Sequence, residues 1–349
     1  MPSASSQLPV PRISVVLPVR DAAATIARAV ASVRAQTRPD WELIAVDDGS
    51  TDGTRERLAA LARDDARIRV LARPPAGLVA ALDAGLAVAR GAFVARMDAD
   101  DESHPGRFAA QATWLEAPEN RDVGLVGCLV DFGGDRAANE GYARHVDWLN
   151  TLVTPERIAS NRFVESPLAH PSVMFRRELV DAFGGYRAGD FPEDYELWLR
   201  WLDAGVRMAK VPAALLTWHD SPARLSRTDP RYAPEAFFRM KAAYVARAVR
   251  RVAAGRRVLV WGAGRLTRQR AAHLEAHGVT IAGFIDVDPK KTGRGIGGTG
   301  RPVLAPAQLP PREDALVLGY VTTRGARDLH RAELTRRGYV EGRDFFLCA

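Results

Sequence analysis

The sequence predicts an α/β protein, with a mostly parallel central sheet in a large first domain and a small Rossmann-like domain after it. Three observations predict this. Continuous apolar, β-branched runs such as ISVVL at 13–17 read as strands buried on both faces. Helical-period segments alternate with these runs across short connections, the pattern of parallel strands joined by right-handed crossovers. From about residue 256 the same alternation starts again, and 349 residues are more than one core ordinarily holds.

The elements follow in order. Residues 1–11 are a polar, proline-rich lead with no pattern to pack, and nothing in them reads as the apolar core of a signal peptide. The first strand, 13–17, is expected to end at Pro18. Ile26, Ala29, Val30 and Val33 then recur at helical spacing. WELIAV at 41–46 is a second strand, closed by the turn-rich DDGSTDG at 47–53. A short third strand covers 68–71, and Leu78, Leu82, Leu86 and Ala89 mark the next helix. That helix leads into 91–105, GAFVARMDADDESHP, where Phe93, Val94 and Ala95 form a buried strand. The acids Asp98, Asp100 and Asp101 follow at its carboxyl end, and Pro105 suits the first turn of a helix.

Open α/β sheets bind ligands at the carboxyl ends of their strands. Two acidic corners lie there, Asp47/Asp48 and Asp98/Asp100, and together they point to a nucleotide crevice. Three carboxylates so close in sequence repel unless something positive joins them. A hard divalent cation, Mg²⁺ or Mn²⁺, shared between carboxylates and substrate phosphates is the matching partner. The competing reading is an exposed acidic turn that caps a helix.

Composition narrows the classes. The chain is 47% hydrophobic and 26% charged, an ordinary soluble balance. The net charge is +7, yet only four of the 49 basic residues are lysines (Lys210, Lys241, Lys290, Lys291), which leaves 45 arginines. Acids and bases are interspersed without a long single-sign block, so no nucleic-acid partner is expected. Cys128 and Cys348 are too few for a disulfide framework and fit a reducing compartment. No apolar run approaches the ~20 residues that span a bilayer. A cytoplasmic location is expected.

Four blocks carry a family resemblance. The stretch from ISVVLPVRDAAATI to WELIAVDDGSTDGT (13–54) resembles the opening of a family 2 glycosyltransferase of the GT-A fold. GLVAALDAGLAVARGAFVARMDADDESHPGRF (77–108) is similar to that family's DxD region. HPSVMFRR (170–177) and EDYELWLR (193–200) resemble its later blocks, so the likeness covers roughly 12–230 in the family's order. The resemblance implies a metal-dependent enzyme that moves a sugar from a nucleotide-sugar donor, UDP-linked by preference, to a hydroxyl on a glycan or lipid-linked acceptor. Pro18, Val19 and Asp48 would hold the base and ribose. Asp98, with Ala99 beside it, would reach the ribose or the metal, and Asp100 would ligate the metal. Asp194, with Glu193 next to it, would be the general base. His219 would be a third metal ligand, the alternative being a satisfied core or surface histidine. Where the family often has an Arg-Asn pair, this chain has Leu82-Asp83, a departure on the donor side.

The chemistry explains these residue types. Departure of a nucleoside diphosphate releases negative charge, which a bridging metal stabilises as a Lewis acid. The attacking hydroxyl must lose a proton, which needs a positioned carboxylate. One base without a separate nucleophile implies single, inverting displacement. By spacing alone Asp194 reads as the cap of a helix over 195–202; the base role comes from the resemblance. Trp198 and Trp201, at i and i+3, read as core, and Trp218 as core or a sugar-stacking ring.

Residues 231–255 read as a basic helix, with Phe237, Met240, Tyr244 and Ala248 on one face and Arg239, Arg247, Arg250 and Arg251 around it. Two readings stand: a connector packed on the catalytic domain, or a surface that touches an anionic membrane near a lipid-linked acceptor. In 256–349, strands at 257–261, 280–285, 315–321 and 344–347 are expected. Gly262 and Gly264 match two glycines of the dinucleotide fingerprint, Thr267 replaces the third, and Asp286 falls near the ribose-binding offset. FIDVDPKKTG (284–293) resembles the nucleotide-sugar-binding domain of PglD-type sugar acyltransferases. The module binds a nucleotide or serves assembly, including oligomer formation. Two rivals to the transferase reading are a sugar nucleotidyltransferase, which would want a Gly-rich loop and lysine after the first strand, and a non-catalytic nucleotide-sugar sensor.

Overall fold

A computed structural model describes residues 10–221, 224–293, 295 and 300–349. Most of the expected lead, 1–9, lies outside the described residues. In chain order the elements begin β1 (Ile13–Val19), α1 (Ile26–Arg34), β2 (Trp41–Asp48), α2 (Thr54–Asp64), β3 (Ile68–Arg73), α3 (Leu78–Ala87) and β4 (Phe93–Arg96). They continue β5 (Glu102–Ser103), α4 (Arg107–Glu116), β6 (Val123–Gly133), α5 (Glu140–Asn150), α6 (Pro155–Asn161), β7 (Met174–Arg176), α7 (Glu178–Phe183), α8 (Glu193–Asp203) and β8 (Arg207–His219). The last are α9 (Leu225–Thr228), α10 (Pro234–Val252), β9 (Arg257–Trp261), α11 (Arg265–Glu275), β10 (Ile281–Ile285), β11 (Val303–Leu304), β12 (Ala315–Gly319), α12 (Ala326–Arg336) and β13 (Phe345–Leu347).

Two compact units result. The first holds Met1–Pro155, Leu168–Ala188 and Ala204–Arg224. Its eight strands run β3-β2-β1-β4-β7-β6-β8-β5. β1 to β4 are parallel, while β7 enters antiparallel between β4 and β6. α1 covers the sheet with Ile26, Ala29, Val30 and Val33, all fully buried, each large aliphatic contributing about 1.5–3 kcal/mol by leaving water. α3 lies on β1 and β2 because it carries Gly85, where a Cβ would stand 2.6 Å from Val16 Cγ1. Gly91 likewise admits β4 beside β1, since a Cβ there would lie 2.6 Å from the Ser14 backbone nitrogen. Pro18 does not end β1, which runs on to Val19. β4 pairs only with Ile13 to Val16 of β1, so Pro18 sits where that edge needs no donor.

The second unit holds Glu156–Pro167, Gly189–Asp203 and Leu225–Ala349. Its strands run β11-β10-β9-β12-β13, all parallel. Relative to their chain order this is 3-2-1-4-5, the doubly wound arrangement, with its switch point between β9 and β12. The core joins Phe163, Tyr195 and Leu199 to Phe238, Val245 and Val249 of α10 and to Val258, Val260, Leu316 and Leu318 of the sheet. So 156–167 and 189–203, read from the sequence as parts of the 12–230 domain, pack with the C-terminal sheet. α10 binds them: Lys241 Nζ donates to Phe163 O at 2.9 Å, and Tyr244 O–H donates to Glu196 at 2.5 Å. Its arginines are engaged inside the unit, Arg247 and Arg251 on Asp203 and Arg250 on the His277 carbonyl. Among the described residues, no helix is long and apolar enough to cross a membrane.

Candidate functional site

The acid cluster is built by β4 and the turn after it. Met97 N–H donates to Val16 O at 3.2 Å and extends the pairing with β1. The chain then turns through Asp98, Ala99 and Asp100 and drops into β5, which pairs antiparallel with β8. Gln36 pins that descent, its Nε2 donating to His104 O at 2.8 Å and to Ser103 Oγ at 3.2 Å. One oxygen each of Asp98, Asp100 and Asp101 then lies within 4.8 Å of the other two. Asp101 is 1% exposed. Its Oδ1 accepts the His219 backbone N–H at 2.8 Å, while its buried Oδ2 has no hydrogen-bond partner.

The electrostatics follow from that geometry. Burial, then the charges of Asp98 and Asp100, pushes the Asp101 carboxyl well above its ordinary range. Asp100 is raised by burial and by Asp98. Arg96, itself buried, donates to Asp98 Oδ1 at 2.6 Å. Arg224 draws both raised carboxyls back down while its guanidinium lies over the Trp218 ring at 4.6 Å. An orphaned carboxylate oxygen among two other carboxylates is a donor set that suits a hard divalent cation.

Sequence reasoning placed Asp98 and Asp100 here, and the structure brings them together with Asp101. The adjacent acid in the Asp98–Asp101 run was the available signal for it. His219 reaches the cluster by its backbone. Its imidazole is engaged elsewhere, with Nε2 2.7 Å from Glu102 Oε1 and Nδ1 3.2 Å from Gly133 O.

Pro18 and Val19 end β1 beside Asp47 and Val46 of β2. Asp48 is buried and commits both oxygens to the loop before α3, accepting from Ala76 N–H at 2.9 Å and Gly77 N–H at 2.8 Å. Asp47 is likewise tied down; burial pushes its carboxyl up, but Ser50 and Arg55 outweigh that and hold it low. Gly49 turns just after them at φ +76, where a Cβ would meet Pro75 Cδ at 2.7 Å. The β1–α1 and β2–α2 loops are laced together, Ala22 N–H donating to Thr54 Oγ1 at 2.8 Å and Ala23 N–H to Asp52 at 2.9 Å. The corner is therefore preorganised.

In the second unit Glu193 and Asp194 open α8. Glu193 is 2% exposed, and the Tyr232 hydroxyl lies 2.7 and 3.0 Å from its two oxygens. Asp194, the second residue of the helix, accepts the Tyr195 N–H on its Oδ1 at 2.7 Å, a local bond within the first turn. Trp198 and Trp201 are fully buried and meet edge to face at 6.0 Å. At the end of β9, Gly262 adopts φ +115 and a Cβ there would lie 2.8 Å from Val321 Cγ2. Gly264 precedes α11 with open space around it. Asp286 holds this loop rather than lying free, accepting from Ala263 N–H at 2.9 Å, Asp288 N–H at 3.0 Å and Lys291 Nζ at 3.1 Å.

A mostly parallel sheet with its acids at the carboxyl end of a central strand puts the cluster where open α/β sheets bind their ligands. The family model for glycosyl transferase family 2 matches residues 14–184. The chain is 31% identical over 214 residues to the Bacillus subtilis protein named glycosyltransferase EpsE, covering 59% of this chain and 72% of that one. It is 28% identical over 211 residues to the O-antigen biosynthesis glycosyltransferase WbnJ of Escherichia coli, covering 59% and 78%. In structure it resembles residues 1–349 of S. aureus TarS, solved in complex with UDP-GlcNAc, with a TM-score of 0.54 at 17% identity over 68% of this chain and 66% of that one. The chain belongs to glycosyltransferase family 2, has an α/β fold that matches GT-A structures, and is a glycosyltransferase.

Proposed function

We propose that the enzyme transfers a sugar, with inversion, from a nucleotide-sugar donor to a hydroxyl on a glycan or lipid-linked acceptor in surface polysaccharide assembly. The observation that carries the reading is the triad Asp98, Asp100 and Asp101, with its buried, unpartnered Asp101 oxygen. In this reading Asp100 and Asp101 hold a divalent cation, Mn²⁺ or Mg²⁺, and Asp98 serves the cation or the donor ribose. His219 positions Asp101 through its N–H and is held in reserve as a ligand. The backbone of Pro18, Val19 and Ala99, with the loop that Asp48 closes, takes the nucleoside, for which UDP is favoured. When bound, the cation supplies Lewis-acid stabilisation of the leaving diphosphate. Asp194 takes the acceptor proton, and Glu193, occupied by Tyr232, sets the start of its helix. The names of the relatives support the polysaccharide setting. In the second unit, the switch point flanked by Gly262 and Gly264, closed by Asp286, serves a nucleotide or an assembly partner. A panel of UDP-, GDP- and dTDP-sugars, assayed for binding and transfer with Mn²⁺, Mg²⁺ or EDTA, tests the reading. Binding of none of them in a metal-dependent manner would overturn it.

A further inference from the structure

The buried arginine beneath the acid cluster is absorbed by no step above. Arg96, at the end of β4, is 2% exposed, although arginine is almost never fully buried unless paired. Its Nη2 donates to Asp98 Oδ1 at 2.6 Å, its Nη1 to the Met97 carbonyl, and its Nε to His170 Nε2 at 3.3 Å. An N–H aimed at Nε2 requires the lone pair there, so the imidazole proton sits on Nδ1. The Tyr186 hydroxyl lies 2.7 Å from the same nitrogen. Burial and the Arg96 charge both push the His170 pKa well below its ordinary value, which keeps the ring a neutral acceptor. The backbone is held as well: Arg107, fully buried, donates from Nη2 to Arg96 O at 2.8 Å and to Val173 O at 3.3 Å.

A guanidinium needing only satisfaction could find it among carbonyls. This one is forked between a buried histidine and a carboxylate whose side chain is 30% exposed. With Oδ1 fixed, the plane of the Asp98 carboxylate is fixed, and Oδ2 is presented from a set direction. We propose that Arg96, held by His170, is a positioning residue that sets Asp98 for the metal-bound nucleotide. The planar fork is what does this; a lysine brings the charge without the simultaneous reach to both partners. The inference rests on the reading of Asp98 as a donor-side residue.

The test uses the full chain, with UDP, GDP and dTDP titrated calorimetrically in Mn²⁺ and in EDTA. The ratio of the two Kd values for the best binder measures metal coupling. Arg96→Lys and Arg96→Met are expected to cut the gain in affinity that Mn²⁺ brings over EDTA by about tenfold or more. His170→Gln, whose amide oxygen can accept the Arg96 N–H, should retain coupling, whereas His170→Phe should lose it. A folded Arg96→Lys protein with the wild-type ratio would overturn the proposal. Equal loss in both His170 variants would overturn the part given to His170, because packing rather than the hydrogen bond would then be responsible. If the wild-type chain itself shows no metal coupling, the metal reading of the triad fails and takes this inference with it.

Discussion

Asp101→Asn should stabilise the metal-free protein and abolish its stabilisation by metal and nucleotide. The change is nearly isosteric: the amide oxygen still accepts the His219 N–H, and the amide nitrogen fills the place of the orphaned oxygen. What leaves is charge. Two full charges no more than 4.8 Å apart at an effective dielectric of ~20 repel by about 3 kcal/mol or more, and Asp101 faces two such neighbours. Arg96 on Asp98, and Arg224, offset part of this, leaving an expected gain of about 1–3 kcal/mol, at ~2–4 °C of Tm per kcal/mol. The sign against pH follows from burial and the neighbouring acids, which raise the Asp101 carboxyl in the folded state. Below the ordinary carboxylate range wild type and variant are both neutral there and melt alike. As pH climbs through the raised folded value, wild type loses stability and the variant does not, so the gap widens. With Mn²⁺ and a nucleotide at about 100 times Kd, wild type gains about 2.7 kcal/mol, which the variant should largely forgo. Thermal unfolding between pH 5 and 9, with and without ligand, measures both signs. A variant that melts lower without metal, or keeps the ligand-induced shift, refutes the reasoning.

Asp194→Asn should retain donor binding and slow transfer by about 10² or more, the scale of a lost general base; a wild-type rate with a verified acceptor would leave Asp194 with only its local bond in the first turn of the helix. Gly85→Ala adds a methyl 2.6 Å from the stiff Val16 side chain, so an overpacking cost of about 1–3 kcal/mol should exceed the ~1 kcal/mol gained in helix propensity. The denaturant midpoint should fall and recover in part when Val16→Ala is added; a rise in the single variant would show that α3 is not seated through Gly85. Lys241 is buried and its pKa is pushed down to about 8. Between that value and the ordinary lysine range the unfolded chain holds a proton the folded one has lost, so stability should rise with pH there. Subtracting the profile of Lys241→Met isolates the effect, and parallel profiles would contradict it.

The local pattern carried much of this protein. Strands β1, β2, β3 and β4, the helices α1 and α3 between them, and the four main strands of the second sheet were readable from short apolar runs and from apolar residues at helical spacing. Asp98 and Asp100 were readable because the acids abut one such strand. The four motif blocks identified the family for the same reason, since each is a contiguous run of residues.

Other features were decided only when distant segments met. β7 enters antiparallel between β4 and β6 through pairings about 50 to 80 residues apart, and no three-residue stretch specifies its neighbours. Residues 156–167 and 189–203 pack with the C-terminal sheet because Phe163, Tyr195 and Leu199 find their apolar partners on α10. Asp101 gains its unpartnered oxygen because β8 delivers the His219 N–H to only one side of it. The buried fork of Arg96 exists because His170 arrives from 74 residues away. Sequence alone determined the first four strands and the main strands of the second sheet, where the acids stood and which family they mark, since hydrophobic period and short motifs are properties of neighbours along the chain. Tertiary structure decided which charges are buried, paired or left open, because desolvation and hydrogen bonding depend on which segments close over a group in space.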